Sequence, residues 1–452
     1  MRERKQLWVW VALLALLLAG CAAPAGDAGG IDSGQASAEA GQSADGEQID
    51  VTLWMHEHPP RIALDEQLIQ QFMDENPQIH VNYEVIPVSE YDLKLRTAMA
   101  AGSGPDLFNQ WTAEIGQFYA SDILAPLNAA AAGYADDAAV VANYDGGESL
   151  MAGIMFDDRL YGLPTEFSIY ACYANDDLWA EAGLDPATDF PTTWEGLRDV
   201  AEQLTVHEDD TIVQRGFDFN WTWPGFMWLQ FNPQVTQLGG YIVNDSDYSV
   251  AVDSPEVAQA MSYWTNWATE WDLGGPQYLG SRDAFLAGEL AIECSFGNWG
   301  VPQMEEANIN WSVHKAPRWE AAVNDNYLDL YAYYFMVNAQ SDPNVQEAAW
   351  KLAGYLTSFP EEYFTEAGLF QSQVDFVNSD TFKNDPVMPI FLEQMRTSQF
   401  SPRIVAWNEV AEALAGARDR VVIGGEDLAD VLPETDVEIT RILERALADL
   451  GQ

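Results

Sequence analysis

The chain has 452 residues, the length of about three ordinary domains or of one two-lobed body, and its 48% apolar and 20% charged residues describe a globular protein. The charge is far out of balance: 71 acidic against 20 basic side chains leave −51 at pH 7. Such a surface repels phosphate backbones and free anions, which argues against nucleic-acid binding, while 17 tryptophans supply many flat apolar faces.

At the N-terminus Arg2, Arg4 and Lys5 precede an apolar stretch from Leu7 to Gly20, too short to span a bilayer as a helix, so the segment 1–20 reads as a signal peptide. Its end, Leu18-Ala19-Gly20-Cys21, resembles the lipobox of bacterial lipoproteins, in which the cysteine is acylated and becomes the new N-terminus. An ordinary signal peptide with a chance cysteine is the alternative. Loss of residues 1–20, which carry three basic and one acidic side chain, takes the net charge from −51 to −53. So acidic a chain fits adaptation to high external salt, or equally a lineage whose exported proteins are all acidic. Residues 22–48 are rich in Ala, Gly and Ser and hold no aromatic residue, so they read as a flexible tether with an r.m.s. reach of roughly 30 Å. Cys172 and Cys294 both lie in apolar runs; buried free thiols are expected over a disulfide, although an exported chain permits one.

Strands and helices then alternate. A strand is expected at Ile49–Trp54, a helix at Arg61–Asn76 ended by Pro77, a strand at Ile79–Ile86, a helix at Glu90–Ala101, a Gly-Ser-Gly-Pro turn and a strand at Asp106–Phe108. Leu160–Asn175 reads as one long apolar strand, Trp194–Leu204 and Val257–Trp271 as helices, Ala284–Phe296 as a helix-to-strand unit, Leu328–Asn338 as a strand, and the chain from Val345 onward as mainly helical. This order implies an α/β fold with mostly parallel sheets and helices on both faces. More than 400 residues in that pattern exceed one comfortable core, so two lobes are expected.

Several segments together resemble the sugar-type, maltose-binding-protein-like extracellular solute-binding lipoproteins of bacterial ABC importers. They are Pro191-Thr-Thr-Trp194-Glu-Gly-Leu197 with Ala201-Glu-Gln-Leu204-Thr205, Gly102-Ser-Gly-Pro105-Asp106-Leu107, Tyr161-Gly-Leu-Pro164 with Tyr173-Ala-Asn175-Asp-Asp-Leu178, Phe285-Leu-Ala-Gly288-Glu-Leu-Ala291-Ile292, Gly297-Asn-Trp299-Gly300 and Glu347-Ala-Ala-Trp350-Lys-Leu. Two departures are Gly196, where an acidic residue is common, and Phe370, where the family often has Pro. The resemblance implies a two-lobe clamp of the periplasmic-binding-protein kind, type II-like, crossed three times by the chain, with residues 49–172 plus 333–384 in one lobe and 173–332 plus 385–452 in the other. It also implies an exported protein held by lipid to the outer face of the cytoplasmic membrane, monomeric, needing no cofactor, not an enzyme, and delivering a sugar to a membrane permease.

A sugar presents C–H faces that pack on aromatic rings and hydroxyls that need donors and acceptors, so tryptophans with carboxylates and amides are the expected lining. Trp299, in a glycine-rich turn after an apolar strand, is placed to project into a cleft, the alternative being a core ring filling the turn. Trp407, after Ser401-Pro402, stands where the resemblance implies a ligand-stacking aromatic, or packs on the apolar face of its helix. Gln110, Trp111 and Glu114 follow a strand at the sheet's C-terminal edge, where ligands of open α/β folds bind. Glu166 faces the hinge and cleft by the family pattern, and of the tryptophans at 221, 223 and 228 only Trp223 is expected in the cleft. His56-Glu57-His58 could hold a metal, since residues i and i+2 of a strand share a face, but no further cysteine or histidine stands at metal-ligand spacing; sugar hydrogen bonding by Glu57 or His58 is preferred. Two other readings stay open: a receptor for a cationic solute such as a polyamine, since tryptophans and carboxylates also cage cations, and a glycoside hydrolase working with two carboxylates.

Overall fold

The computed structural model describes residues 48–209 and 211–451. The expected signal peptide, Cys21 and nearly all of the tether lie outside the described residues. The strands, in chain order, are β1 (Ile49–His56), β2 (Ile79–Ile86), β3 (Leu107–Trp111), β4 (Met155–Phe156), β5 (Arg159–Leu160), β6 (Leu163–Ser168), β7 (Tyr170–Asn175), β8 (Val206–Glu208), β9 (Thr211–Phe217), β10 (Leu290–Gly297), β11 (Trp311–His314) and β12 (Tyr331–Val337). Ten of them form two five-stranded sheets, one ordered β2-β1-β3-β12-β6 and the other β11-β7-β10-β9-β8, while β4 and β5 make a separate hairpin.

Local signals explain many of the helices. Thr193 caps the helix Trp194–Leu204 by accepting the Gly196 amide at 3.1 Å, and Trp194, Leu197, Ala201 and Leu204 then form one buried stripe. Pro59 and Pro60 open the helix Pro59–Glu75, a first-turn position where a missing N–H costs nothing. That helix packs on β2 and the helix Pro343–Leu356 packs on β1, covering the first sheet; Trp194–Leu204 and Ser281–Leu286 cover β9 and β10 of the second. Helices Pro224–Gln237, Pro255–Thr269, Trp407–Val422 and Leu428–Asp449 pack on one another beside the second sheet.

Three expectations need correction. Leu160–Asn175 is not one strand: β6 ends at Ser168 in the first sheet and β7 begins at Tyr170 in the second, with Ile169 alone between them. A run buried without a break from Gly162 to Asn175 carries no mark of a change of sheet. Nor are the sheets mostly parallel. In the first, β1 runs parallel to β2 and β3, but β12 is antiparallel to both β3 and β6. The register supplies the reason: Ser168, where β6 leaves the sheet, pairs with Tyr331, where β12 returns, so exit and entry share one end and the strands must run oppositely. The second sheet has one parallel pair, β10 with β9, among three antiparallel ones. Finally, Cys172 and Cys294 are joined in a disulfide. They sit on the antiparallel neighbours β7 and β10 with Cα atoms 4.0 Å apart, a closeness that 122 residues of separation conceal. Both cysteines are buried, as their apolar surroundings indicated.

The strands change sheet at 168–170 and between His314 and Tyr331. The boundaries drawn from the sequence at 172/173 and 332/333 would cut through β7 and β12.

Candidate functional site

Three strands of the first sheet set one wall of a cleft. In register, Tyr333 of β12 lies opposite Trp111 at the end of β3 and opposite Glu166 of β6, so a ring, a phenol and a carboxyl stand side by side on adjacent strands. The end of β1 adds His56, followed by Glu57 and His58, and the helix Val88–Ala100 adds Asp92. Elements of the second sheet's lobe supply the facing wall: Tyr170 opens β7, Trp223 caps the helix Pro224–Gln237, Phe226 lies in its first turn, and Trp299 sits in the short turn after β10. The cleft between them measures about 670 Å³.

Its electrostatics follow from burial. Arg61, 2% exposed, is the cation behind the wall: its Nε lies 3.2 Å from Asp65, its Nη1 3.5 Å from Glu166, and its Nη2 donates to the His56 carbonyl at 2.8 Å. Burial nevertheless outweighs Arg61 and pushes Glu166 up to about 7, so near neutral pH its carboxyl is able to donate as well as accept a hydrogen bond. His56 is buried against Arg61 and titrates well below the usual histidine range. Its Nδ1 accepts from the Asn109 amide at 2.7 Å, which leaves the proton on Nε2, and its ring stacks on Tyr333 at 4.2 Å. His58 shares a hydrogen bond of 2.8 Å with the Ala367 carbonyl. The Trp299 indole N–H donates to the Tyr331 hydroxyl, fixing the ring beside the cleft. Among the described residues no group of three side chains is arranged to hold a metal, and no helix is long and apolar enough to cross a membrane.

A family model described as bacterial extracellular solute-binding protein matches residues 59–359. The chain belongs to that family. Among its curated relatives, the maltotriose-binding protein of Pyrococcus abyssi is 22% identical over 405 residues, covering 87% of this chain and 82% of that one. The galactooligosaccharide-binding protein of Bacillus subtilis is 21% identical over 351 residues, 75% and 77% of the two chains. Of solved structures, a cyclo/maltodextrin-binding protein complexed with maltotetraose superposes with a TM-score of 0.70 at 21% identity, covering 88% of this chain and 98% of that one. A solute-binding protein of an ABC transporter from Thermotoga lettingae, bound with α-D-tagatose, gives 0.69 at 23% identity, covering 88% and 100%. These likenesses show the two-lobe fold.

In this solute-binding protein the candidate residues Glu57, His58, Trp111, Glu166, Trp223 and Trp299 come together on the cleft. Three others lie outside it. Side chains alternate along a strand, so Gln110 points away from Trp111's side; it is buried, and its amide donates to Asp92 at 2.8 Å, holding a carboxylate that does line the cleft. Glu114, in the first turn of the helix Thr112–Ala120, lies 3.2 Å from Arg96 and accepts from Asn408 on a second cavity of about 440 Å³. Trp407, 2% exposed, packs edge-on against Trp111 at 4.8 Å and backs that ring from inside the protein.

Sequence reasoning did not single out Asp92, Tyr170, Phe226, Tyr331 and Tyr333. A signal existed for two of them: Tyr331 and Tyr333 share one face of a strand by the two-residue period. Asp92 carried none, because its role depends on which helix face the distant β3 meets.

Proposed function

We propose that this protein is the substrate receptor of an ABC importer that captures a sugar or oligosaccharide between its lobes and passes it unchanged to a membrane permease. One observation carries the reading: Trp111 and Tyr333 from one lobe and Trp223 and Trp299 from the other line a single cleft together with carboxyl groups and the amides of Gln303 and Asn408. Ring faces take the C–H faces of a sugar, and the mixed donors and acceptors take its hydroxyls. The sugar ligands named for several relatives support the same class.

Calorimetric titration with an oligosaccharide panel tests it. Trp299→Ala is expected to weaken binding of whichever sugar binds by about 1–3 kcal/mol, roughly five- to 150-fold in Kd, with the unfolding midpoint little changed. Trp299 is half-buried at the cleft edge, so a variant that loses its fold, or one that binds as well as the parent, refutes the stacking role. A panel in which no sugar binds the parent refutes the receptor reading itself.

We also propose that the mature chain is anchored by lipid on Cys21, on the strength of Leu18-Ala19-Gly20-Cys21 after an apolar stretch. Cys21→Ser is expected to release protein that still binds sugar into the soluble fraction; membrane retention of that variant would mean a different anchor.

A further inference from the structure

The cleft is lined by three carboxyl groups against two histidines, His56 and His58, whose protonation burial disfavours. Its lining includes the carboxyl groups of Glu57, Asp92 and Glu166 and no lysine or arginine among the described residues. The cations nearby are committed elsewhere. Arg61 is spent on Asp65 and Glu166 behind the wall. The Arg282 guanidinium does not line the cleft: it lies 3.9 Å from the centre of the Phe226 ring and donates to the Ser295 carbonyl and, at 3.4 Å, to the Tyr170 hydroxyl. Arg96, one turn beyond Asp92 on the same helix, attracts its carboxylate, but it makes its ion pair with Glu114 on the second cavity, and burial outweighs the attraction. Neither Glu57 nor Asp92 has a basic side chain within 4.0 Å among the described residues, and the hydrogen bond Asp92 accepts comes from the neutral Gln110 amide.

A carboxylate with no ion-pair partner loses hydration when a ligand seals the cleft, a condition that half-buried Asp92 meets more closely than the exposed Glu57. A hydroxyl restores one neutral-to-charged hydrogen bond, whereas an ammonium group restores both the hydrogen bond and the missing charge. The ring faces of Trp111, Trp223 and Tyr333 attract cations as well as C–H groups. Carboxylate or sulfate groups on a ligand would meet Glu57 and Asp92 directly, within the field of a chain carrying −51.

We propose that the ligand is an oligosaccharide bearing free amino groups, with Asp92 and Glu57 as the residues that select the amine. The inference rests on the sugar-receptor reading above and narrows it to one substrate class. Burial pushes Asp92 above the usual aspartate range, a displacement that a bound ammonium would reverse.

The test is titration of the whole protein with four matched probes: a glucose oligomer, the glucosamine oligomer of the same length and linkage, its N-acetylated form and a glucuronate-containing oligomer. The glucosamine oligomer is expected to bind about tenfold tighter than the glucose oligomer in dilute buffer. That advantage should vanish on N-acetylation and shrink as NaCl is raised. Asp92→Asn is expected to bring the two affinities together, and the salt dependence of the parent protein supplies the same answer should the variant fold poorly. Equal affinity for glucose and glucosamine oligomers, or binding of the glucuronate oligomer as tight as either, overturns the amine proposal and leaves the sugar receptor standing. Binding of a linear diamine with no response to any oligosaccharide overturns both.

Discussion

Replacing Cys172 and Cys294 together by alanine is expected to lower the unfolding free energy by about 2–5 kcal/mol. The upper end comes from chain entropy: the bond closes a loop across 122 residues, and releasing it returns that freedom to the unfolded chain. Alanine is the better replacement because both sulfurs are buried among apolar neighbours, where serine hydroxyls would lack partners. The two cysteines tie β7, the first strand after the change of sheet, to the centre of the second sheet, so the loss should appear in that lobe and leave the β1–β3 region less affected. Burial also predicts that a reductant reaches the bond only when the lobe opens, so reduction should accelerate in step with denaturant. Urea unfolding of the oxidised parent and of the double variant measures the first effect, and thiol labelling after a timed exposure to reductant measures the second. Coincident urea curves, or two reactive thiols in the unreduced denatured protein, would sink the prediction.

A comparable loss is expected from Arg61→Met. The guanidinium is 2% exposed and faces two carboxyl groups, and a methionine fills its volume while leaving both without a cation. Asp65 keeps the hydroxyls of Tyr83 and Tyr363, which donate to it at 2.9 and 2.7 Å. Glu166 keeps no comparable support, so most of the cost, about 3–5 kcal/mol at pH 8, falls on it. The pH dependence distinguishes this from simple packing loss. Glu166 already sits at about 7 with Arg61 beside it, above the ordinary glutamate value, and removing the cation raises it further. A carboxyl raised on folding contributes stability that is fully present below its unfolded value and is lost as pH rises through the folded one. The variant should therefore recover much of its deficit relative to the parent between pH 8 and pH 5. Adding Glu166→Gln to the Arg61→Met background should flatten that difference. A deficit under about 1 kcal/mol, or one equal at pH 5 and pH 8, would mean that Arg61 does not hold Glu166 ionised. Because Glu166 lies beside Tyr333 on the cleft wall, the same titration is expected to show in ligand affinity, which makes the pair a link between the stability of the first sheet and the site it carries.

Much of the local architecture was written in short stretches of sequence. Ile79–Ile86 and Trp194–Leu204 occupy the bounds that periodicity and capping indicate, because a two- or 3.6-residue repeat and a threonine cap are settled within about ten residues. The tryptophan-and-carboxyl character of the site was legible for the same reason: Trp299 follows its strand directly, and Glu57 and His58 follow theirs. Phe370, a departure from the family pattern, turns out to be fully buried, stacked on Phe382, with its carbonyl accepting the Phe167 amide. What needed the tertiary structure was everything decided by partners far along the chain. Whether Leu160–Asn175 is one strand or two depends on which sheet each half joins. Whether Cys172 meets Cys294 depends on β7 lying beside β10. Which of Gln110 and Trp111 faces the cleft depends on the side of β3 that the second lobe covers, and the juxtaposition of Trp111, Tyr333 and Glu166 is a register of three strands drawn from residues 107–111, 331–337 and 163–168. Periodicity states that a strand has two faces; only the packing of distant segments decides which of them becomes the binding wall.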